Sequence, residues 1–212
     1  MESIVNHQLL SKIKTVTNDI HSHVDAELTH IKKACQKGCT SCCHQIVDVI
    51  TWEEPKIFEY ILTSLDRKVK RQIARNLKKW FKTFNSNTRD ATRNNPLNFW
   101  EVREVQHVFR EKRVPCPFLI SSQCAIYEAR PMVCRVHYAE ESVEQCKNDP
   151  HKITPLDAQL IFTEAAKSFE PEMFPIAMKP LPYLVVQEFG VEVVSRPMIG
   201  VVYDPRNVFD RT

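Results

Sequence analysis

Apolar residues recur every three or four positions through the first thirty residues of the chain. They are Val5, Leu9, Ile13, Val16, Ile20, Val24, Leu28 and Ile31, with no proline or glycine between them. This spacing places them on one face and predicts a long amphipathic helix from Ile4 to Ile31. Lys32, Lys33 and Gly38 then supply a basic last turn and a residue that tolerates the left-handed conformation, as at many helix ends.

The same periodicity predicts further helices, and polar residues mark where two of them begin. Thr51 and Glu54 form a capping-box pattern, and Asp66 is placed to cap the helix that follows. Proline and asparagine residues separate these segments from later ones. The predicted helices run over Thr51–Leu65, Asp66–Asn85, Leu97–Arg110 and Pro155–Phe169.

Short apolar runs predict a small amount of β-structure. A weak alternation indicates extended chain from Gln45 to Ile50, and a Ser-Ser-Gln turn predicts a small hairpin of Phe118–Ile120 with Ala125–Tyr127. Leu184–Gln187 and Val191–Val194 have the composition of strands. The fold class expected is mainly α with a small β-hairpin. Residues 1–150 form the expected helical domain, and a C-terminal helix and short strands in 151–212 pack on it.

Composition excludes several classes of protein. The 212 residues carry 29 basic and 26 acidic side chains, a formal net charge of +3, as in an ordinary soluble protein. Only three residues are glycine, too few and too scattered for a Rossmann fingerprint or a P-loop. The start lacks a signal-peptide pattern and no apolar run is long enough to span a membrane, so a cytoplasmic protein without membrane partners is expected.

Eight cysteines carry the most information about function. In a chain expected in a reducing compartment, they indicate metal or redox chemistry rather than disulfides. They form an N-terminal set with spacings x3, x2 and zero, and a C-terminal set with spacings x7, x9 and x11. The candidate metal ligands are Cys35, Cys39, Cys42, Cys43, Cys116, Cys124, Cys134 and Cys146.

The spacings predict a centre that both sets share. Short spacings let thiolates converge on one ion, but the side chains of the adjacent Cys42 and Cys43 diverge. Either two metal sites lie side by side, or one polynuclear cluster takes some of the thiolates. Closing the 72 residues between Cys43 and Cys116 costs roughly 4 kcal/mol of chain entropy, which thiolate–metal affinities of about 10–16 kcal/mol offset. The helical domain is therefore expected to be organised around a cysteine-ligated metal centre.

Two separated motifs carry a resemblance to a known family. The CxxxCxxCC cluster and the segment CPFL…C.IYEARPMVCR, in this order, resemble the cysteine-cluster proteins described as a zinc- or iron-chelating domain, of which flagellin lysine-N-methylase is a larger relative. The resemblance implies metal chelation and leaves Cys146 and the C-terminal third uncovered. The matching positions are Cys35, Cys39, Cys42, Cys43, Cys116, Cys124, Arg130, Pro131, Cys134 and Arg135.

Cysteine ligation suits zinc and iron–sulfur clusters equally. Pro117 directly follows Cys116, as proline follows some cluster-binding cysteines, and this slightly favours an iron–sulfur cluster over Zn²⁺. Kinship with the methylase leaves open a metal-dependent methyltransferase-like enzyme. The spacing of Cys35, Cys39 and Cys42 also matches radical S-adenosylmethionine enzymes, whose glycine-bearing cofactor strands are missing here. No catalytic residue can be singled out, and a binding protein is favoured.

Other side chains were weighed for a role at the centre. His44 and His137 could complete mixed sites but are expected behind the ligands or at the surface. Arg130 and Arg135 could donate to thiolate sulfurs or pair with Glu128. His21 and His23 are expected to be exposed. The basic stretch 67–93 could bind nucleic acid, but its aromatic residues Trp80, Phe81 and Phe84 lie at core spacing, so nucleic acid is not an expected partner.

Overall fold

The mainly α architecture expected from the sequence is confirmed. The structure is a computed structural model that describes residues 2–35, 38–91, 94–148, 155–167 and 178–189. Helices dominate this part of the chain, and the strands are short. The helices are α1 (Glu2–Thr29), α2 (Glu54–Ser64), α3 (Arg67–Asn85), α4 (Phe99–Glu111), α5 (Met132–Val136), α6 (Val143–Asn148), α7 (Leu156–Lys167) and α8 (Leu181–Val185). The strands are β1 (Asp48–Ile50), β2 (Leu119–Ile120), β3 (Gln123–Cys124) and β4 (Met178–Pro180).

Two antiparallel strand pairs stand among these helices. β1 pairs with β4 so that Asp48 lies opposite Pro180, although 132 positions separate them in the chain. β2 pairs with β3 as the expected hairpin, with Leu119 opposite Cys124. Its turn residues Ser121 and Ser122 both have positive φ, +49° and +60°, as a tight two-residue hairpin turn requires.

Capping residues explain where two helices begin. The Asp66 carboxylate accepts a hydrogen bond from the Val69 amide at 2.8 Å, which confirms the expected cap of α3. Asn98 and Glu101 form a reciprocal capping box at the start of α4. This box starts α4 two residues later than the sequence predicted, because the cap residue itself is not helical.

Three local expectations are wrong. Thr51 does not cap α2, because Thr51–Glu53 form a 3-10 turn and α2 begins at Glu54 with a proline in its first turn. The second hairpin strand is Gln123–Cys124 rather than 125–127, since the turn has two residues. Residues 184–187 are helical, not a strand, because a short buried apolar run fits either structure. The strand expected at 191–194 and the last two residues of the helix expected to Phe169 lie outside the described residues.

One hydrophobic core joins α3, α4 and α8 and is rich in aromatic rings. Trp80 stacks on Phe84 at 5.1 Å between ring centroids and meets Phe109 edge to face at 5.2 Å. Trp80, Phe81 and Phe84 are all buried. The aromatic residues of the basic stretch are therefore part of the core, and only its charged face meets solvent.

A second core lies between α1, α5 and α7, and β1 stands between the two cores. Val49 belongs to the first core and its neighbour Ile50 to the second, because successive strand residues point to opposite faces. The segment that begins just after Cys43 therefore contributes to both cores. Within the described residues, no helix is both long enough and apolar enough to cross a membrane.

Candidate metal centre

The N-terminal cysteine set lies between α1 and β1. Cys42 and Cys43 belong to a 3-10 turn, Ser41–Cys43, which the Cys43 amide closes by donating to the Thr40 carbonyl at 2.9 Å. Cys35 follows the end of α1, and its neighbour Ala34 donates to the Ala139 carbonyl at 2.8 Å. None of the cysteines forms a disulfide, so all their sulfurs remain available as ligands.

The C-terminal set comes from the hairpin and from α5. Cys124 lies in β3, Cys134 lies in α5, and Cys116 lies just before β2. The Cys116 amide donates to the Cys43 carbonyl at 2.7 Å, which links the two sets directly through the backbone. Two segments 72 residues apart are thus held side by side.

Backbone amides point at three of the sulfurs. The Ala139 amide donates to the Cys35 sulfur at 3.1 Å. The amides of Phe118 and Ile126 bond the sulfurs of Cys116 and Cys124 respectively, each two residues further along the chain. Hydrogen bonds of this kind favour the thiolate form and are common around thiolate–metal centres. Thiolate sulfurs held in this way are suitable ligands for a soft metal.

One cavity of about 430 Å³ brings seven of the eight thiols together. Cysteines of both sets line it, as the sequence predicted, and we call them the thiol wall. Cys146 is buried at 9% exposure but does not line this cavity, although α6, which carries it, packs against the 3-10 turn. The thiol wall consists of Cys35, Cys39, Cys42, Cys43, Cys116, Cys124 and Cys134.

Cys42 is electrostatically coupled to thiols of both sets. Burial raises the pKa of Cys35, Cys116, Cys124 and Cys134, and the charge of Cys42 raises each of them further. The hydrogen bond with Cys43, followed by burial, raises the pKa of Cys42 itself well above its usual range.

Burial keeps two thiols of the C-terminal set protonated at neutral pH. Burial raises the pKa of Cys116 to about 12 and that of Cys134 well above its usual range. A bound cation would reverse this effect and release the thiol protons. Among the described residues, no three Cys, His, Asp or Glu side chains are already arranged to hold a metal ion.

A buried carboxylate holds α5, the helix of Cys134, in place. Glu53 is 1% exposed, and its Oε1 accepts the Met132 amide at 2.6 Å and His21 Nε2 at 2.7 Å. Met132 is the first residue of α5, so the carboxylate satisfies an amide that has no partner within the helix. The charge of Glu53 also raises the pKa of Cys134. Nothing in the sequence around Glu53 marks it for this role.

Arg135 and Arg130 support the centre from behind. Arg135 donates to the carbonyls of Glu128 and Arg130 at 2.8 and 3.0 Å and pairs with the Asp25 carboxylate on α1. The expected salt bridge to Glu128 is therefore wrong, because the guanidinium bonds the backbone of that residue. Arg130 stacks over the Tyr127 ring at 4.1 Å. Burial raises the pKa of Cys124, and the charge of Arg130 opposes that rise.

The two candidate histidines differ in position. His44 Nδ1 bonds the Thr40 carbonyl at 3.0 Å, so His44 braces the turn of the N-terminal set. His137 lies at the cavity wall, and His44 does not. His44 therefore supports the turn, as expected, whereas His137 lines the same cavity as the thiols.

His21 is buried, contrary to the expectation that it would be exposed. It is 2% exposed and lies on the same face of α1 as the buried Thr17 and Val24. Burial lowers its pKa below the usual 6.5 and outweighs the bond to Glu53. The unfolded chain therefore takes up the proton first as the pH falls, and the folded state loses stability below about pH 6.5.

Replacing His21 by glutamine should remove this contribution to the pH dependence. The free energy of unfolding of the wild type relative to His21→Gln should decrease as the pH falls from about 6.5 to 5, measured by urea denaturation of both proteins at each pH. His21→Gln keeps an amide donor for Glu53 but cannot titrate. The exposed His23 provides the matched control, and His23→Gln should retain the slope. An equal slope in His21→Gln and wild type would assign the dependence to another group.

Asp48 is a half-buried carboxylate in β1 that destabilises the fold at neutral pH. Burial raises its pKa from 3.8 to about 6, against the opposing charges of Arg103 and Arg110. Since one pKa unit corresponds to about 1.4 kcal/mol, ionising this group in the fold costs about 3 kcal/mol at pH 7. Asp48→Asn should therefore stabilise the protein at pH 7, and the gain should vanish below about pH 4. A variant equally stabilised at both pH values would contradict this origin.

Comparison with models of protein families shows which family the chain belongs to. The family model described as "CxxCxxCC: Putative zinc- or iron-chelating domain" matches residues 34–152, more than half of the sequence. The chain belongs to this family. It has one residue more in the first spacing than the family's name, since three residues separate Cys35 from Cys39. Searches of curated proteins and of solved structures gave no match.

Membership confirms the resemblance seen in the sequence and supports a zinc- or iron-chelating cysteine cluster. The matched range contains all seven residues of the thiol wall as well as Cys146. It also contains Glu53, Arg130 and Arg135, which support α5 and the C-terminal thiols, whereas His21 and Asp25 on α1 lie before it. The supporting network is thus shared between the family domain and the helix that precedes it.

Proposed function

We infer that this protein binds a polynuclear metal centre, an iron–sulfur cluster or zinc, through the seven cysteines of the thiol wall. The observation that carries this proposal is the convergence of both cysteine sets on one cavity. Burial and the neighbouring thiols raise the pKa of five of these thiols, Cys35, Cys42, Cys116, Cys124 and Cys134, and a metal is the partner that so many thiolates ordinarily have. The comparisons provide no evidence for catalysis or nucleic-acid binding, so the proposal is confined to metal binding.

The number of thiols favours more than one metal atom. A single tetrahedral site uses four ligands at about 2.3 Å, and seven sulfurs line this cavity. The adjacent residues Cys42 and Cys43 can serve neighbouring atoms of one centre. Cys146, outside the cavity wall, is left out of the proposed ligand set and becomes a natural control.

The protein's own residues prepare the site. The backbone amides of Ala139, Phe118 and Ile126 donate to sulfurs, which offsets part of the thiolate charge. Glu53 and Arg135 fix the helix that carries Cys134. A bound metal would supply a cross-link between the chain before β1 and the hairpin with α5. The centre is therefore proposed to stabilise the fold, whatever further role it has.

Anaerobic purification followed by elemental analysis tests the proposal. We expect more than one metal atom per chain. Iron with acid-labile sulfide and visible absorption would assign an iron–sulfur cluster, and zinc without visible absorption would assign a zinc centre. Pro117 after Cys116 leans the expectation toward iron and sulfide. Folded protein that stays metal-free after reconstitution with either metal would refute the proposal.

A further inference from the structure

The cavity has a second wall whose chemistry differs from that of the thiols. Residues of the chain around β1 and one face of α4 form it, and none of them is a sulfur donor. We call it the polar wall, and it consists of Gln45, Asp48, Arg103, Gln106 and Arg110.

Helical spacing and side-chain amides build this wall. Arg103, Gln106 and Arg110 follow one another at intervals of three and four on α4, which places them on one face. Gln106 is 7% exposed, donates to the Ile46 carbonyl at 3.0 Å, and accepts from Arg103 at 3.2 Å. Arg110 Nε donates to Gln45 Oε1 at 3.0 Å. The amides therefore orient both guanidinium groups.

The polar wall has an excess of positive charge among its own residues. Its charged groups are two arginines and one carboxylate. Burial raises the pKa of Asp48 to about 6, and the charges of Arg103 and Arg110 oppose that rise. Both guanidinium groups thus act on the same carboxylate.

The cavity is large enough for an organic molecule. Its volume of about 430 Å³ falls in the usual range of small-molecule sites. Arg103 lines the cavity and is exposed, so the polar wall is reached from solvent at this residue.

From these features we propose that the polar wall binds the oxyanion group of a small molecule, a carboxylate or a phosphate, through Arg103 and Arg110. Guanidinium groups pair with both oxyanions by parallel charge-assisted hydrogen bonds. Asp48 opposes the ligand's charge and limits its affinity. The site does not depend on which metal the thiols bind, or on whether they bind one.

Calorimetric titration of the full-length protein tests the site, with succinate, phenyl phosphate and inorganic phosphate as probes at constant ionic strength. We expect millimolar or tighter binding of at least one probe. Arg110→Gln and Arg103→Gln should each weaken binding about tenfold, as loss of a charge-assisted bond predicts. Asp48→Asn should tighten binding several-fold. Arg75→Gln, which changes an exposed arginine of α3, should have no effect.

The results distinguish a carboxylate ligand from a phosphate ligand, and loss of the site from loss of the fold. Binding of succinate alone identifies a carboxylate ligand, and binding of the phosphates alone identifies a phosphate ligand. The proposal would be overturned if no probe bound at concentrations up to about 20 mM. Equal binding by wild type and both arginine variants would overturn it as well. Circular dichroism and the metal content of each variant distinguish loss of the site from loss of the fold, and metal-free protein that still binds a probe separates this proposal from that of the metal centre.

Discussion

Replacing Cys42 by serine is expected to cause the largest loss of bound metal of any single cysteine change. Cys42 lines the cavity with thiols of both sets and its charge acts on the pKa of Cys35, Cys116 and Cys134, so we propose that it is a ligand shared by both halves of the centre. Mutation of a residue that only hydrogen-bonds to a metal ligand typically lowers metal affinity 10- to 100-fold. We expect loss of Cys42 itself to lower the affinity by more than about 100-fold. Competition with a chromophoric chelator measures the affinity.

Cys146→Ser is the matched control for this change. Cys146 is also a buried thiol of the family domain, but it does not line the cavity. Its serine variant should keep its metal and its visible spectrum. Cys39→Ser and Cys134→Ser should each lower both bound metal and thermal stability. Equal metal loss in Cys42→Ser and Cys146→Ser would show that the assignment of ligands by the cavity is wrong.

Replacing Glu53 by alanine should have the largest effect on stability. The change leaves the Met132 amide and His21 Nε2 buried without their acceptor, and removal of one partner from such a buried network costs about 3–5 kcal/mol. Because Met132 begins the helix of Cys134, metal affinity should also fall, by about tenfold. Urea denaturation and the chelator competition measure the two effects on the same samples.

A nearby exposed glutamate provides the control. Glu59 on α2 pairs with Lys14 at 3.1 Å, and the side chains are 55% and 37% exposed respectively. Glu59→Ala should cost at most about 1 kcal/mol, because surface ion pairs contribute little. Glu53→Gln retains an oxygen acceptor and should lie between the two. A Glu53→Ala variant as stable as Glu59→Ala would contradict the buried role.

Much of the fold was predictable because local signals agreed with the final structure. α1 and α3 have uninterrupted apolar periodicity, and Asp66 is a strong cap. The pairing of β1 with β4 was not predictable, since it depends on the two cores that meet at Val49 and Ile50. The helical turn at Leu181 was also missed, because a short buried apolar run has no distinguishing period.

The candidate site likewise has residues that the sequence predicts and residues that only the structure reveals. Spacing and residue type predicted all eight cysteines as ligands, but only tertiary structure shows that seven of them line one cavity and that Cys146 does not. Glu53 carries no signature, since a single acid in a charged chain is unremarkable in sequence. The burial of His21 does have a signal in the sequence. His21 lies four residues after Thr17 and three before Val24, on the apolar face of α1.

X-ray absorption at the metal edge tests most directly whether both cysteine sets bind one centre. Wild-type protein should show a sulfur-dominated ligand shell, at about 2.3 Å if the metal is zinc. A variant with serine at Cys116, Cys124 and Cys134 should lose its metal or show fewer protein sulfurs per metal atom. The same metal content with an unchanged sulfur shell in that variant would mean that the N-terminal set binds the metal alone, and would contradict the shared centre.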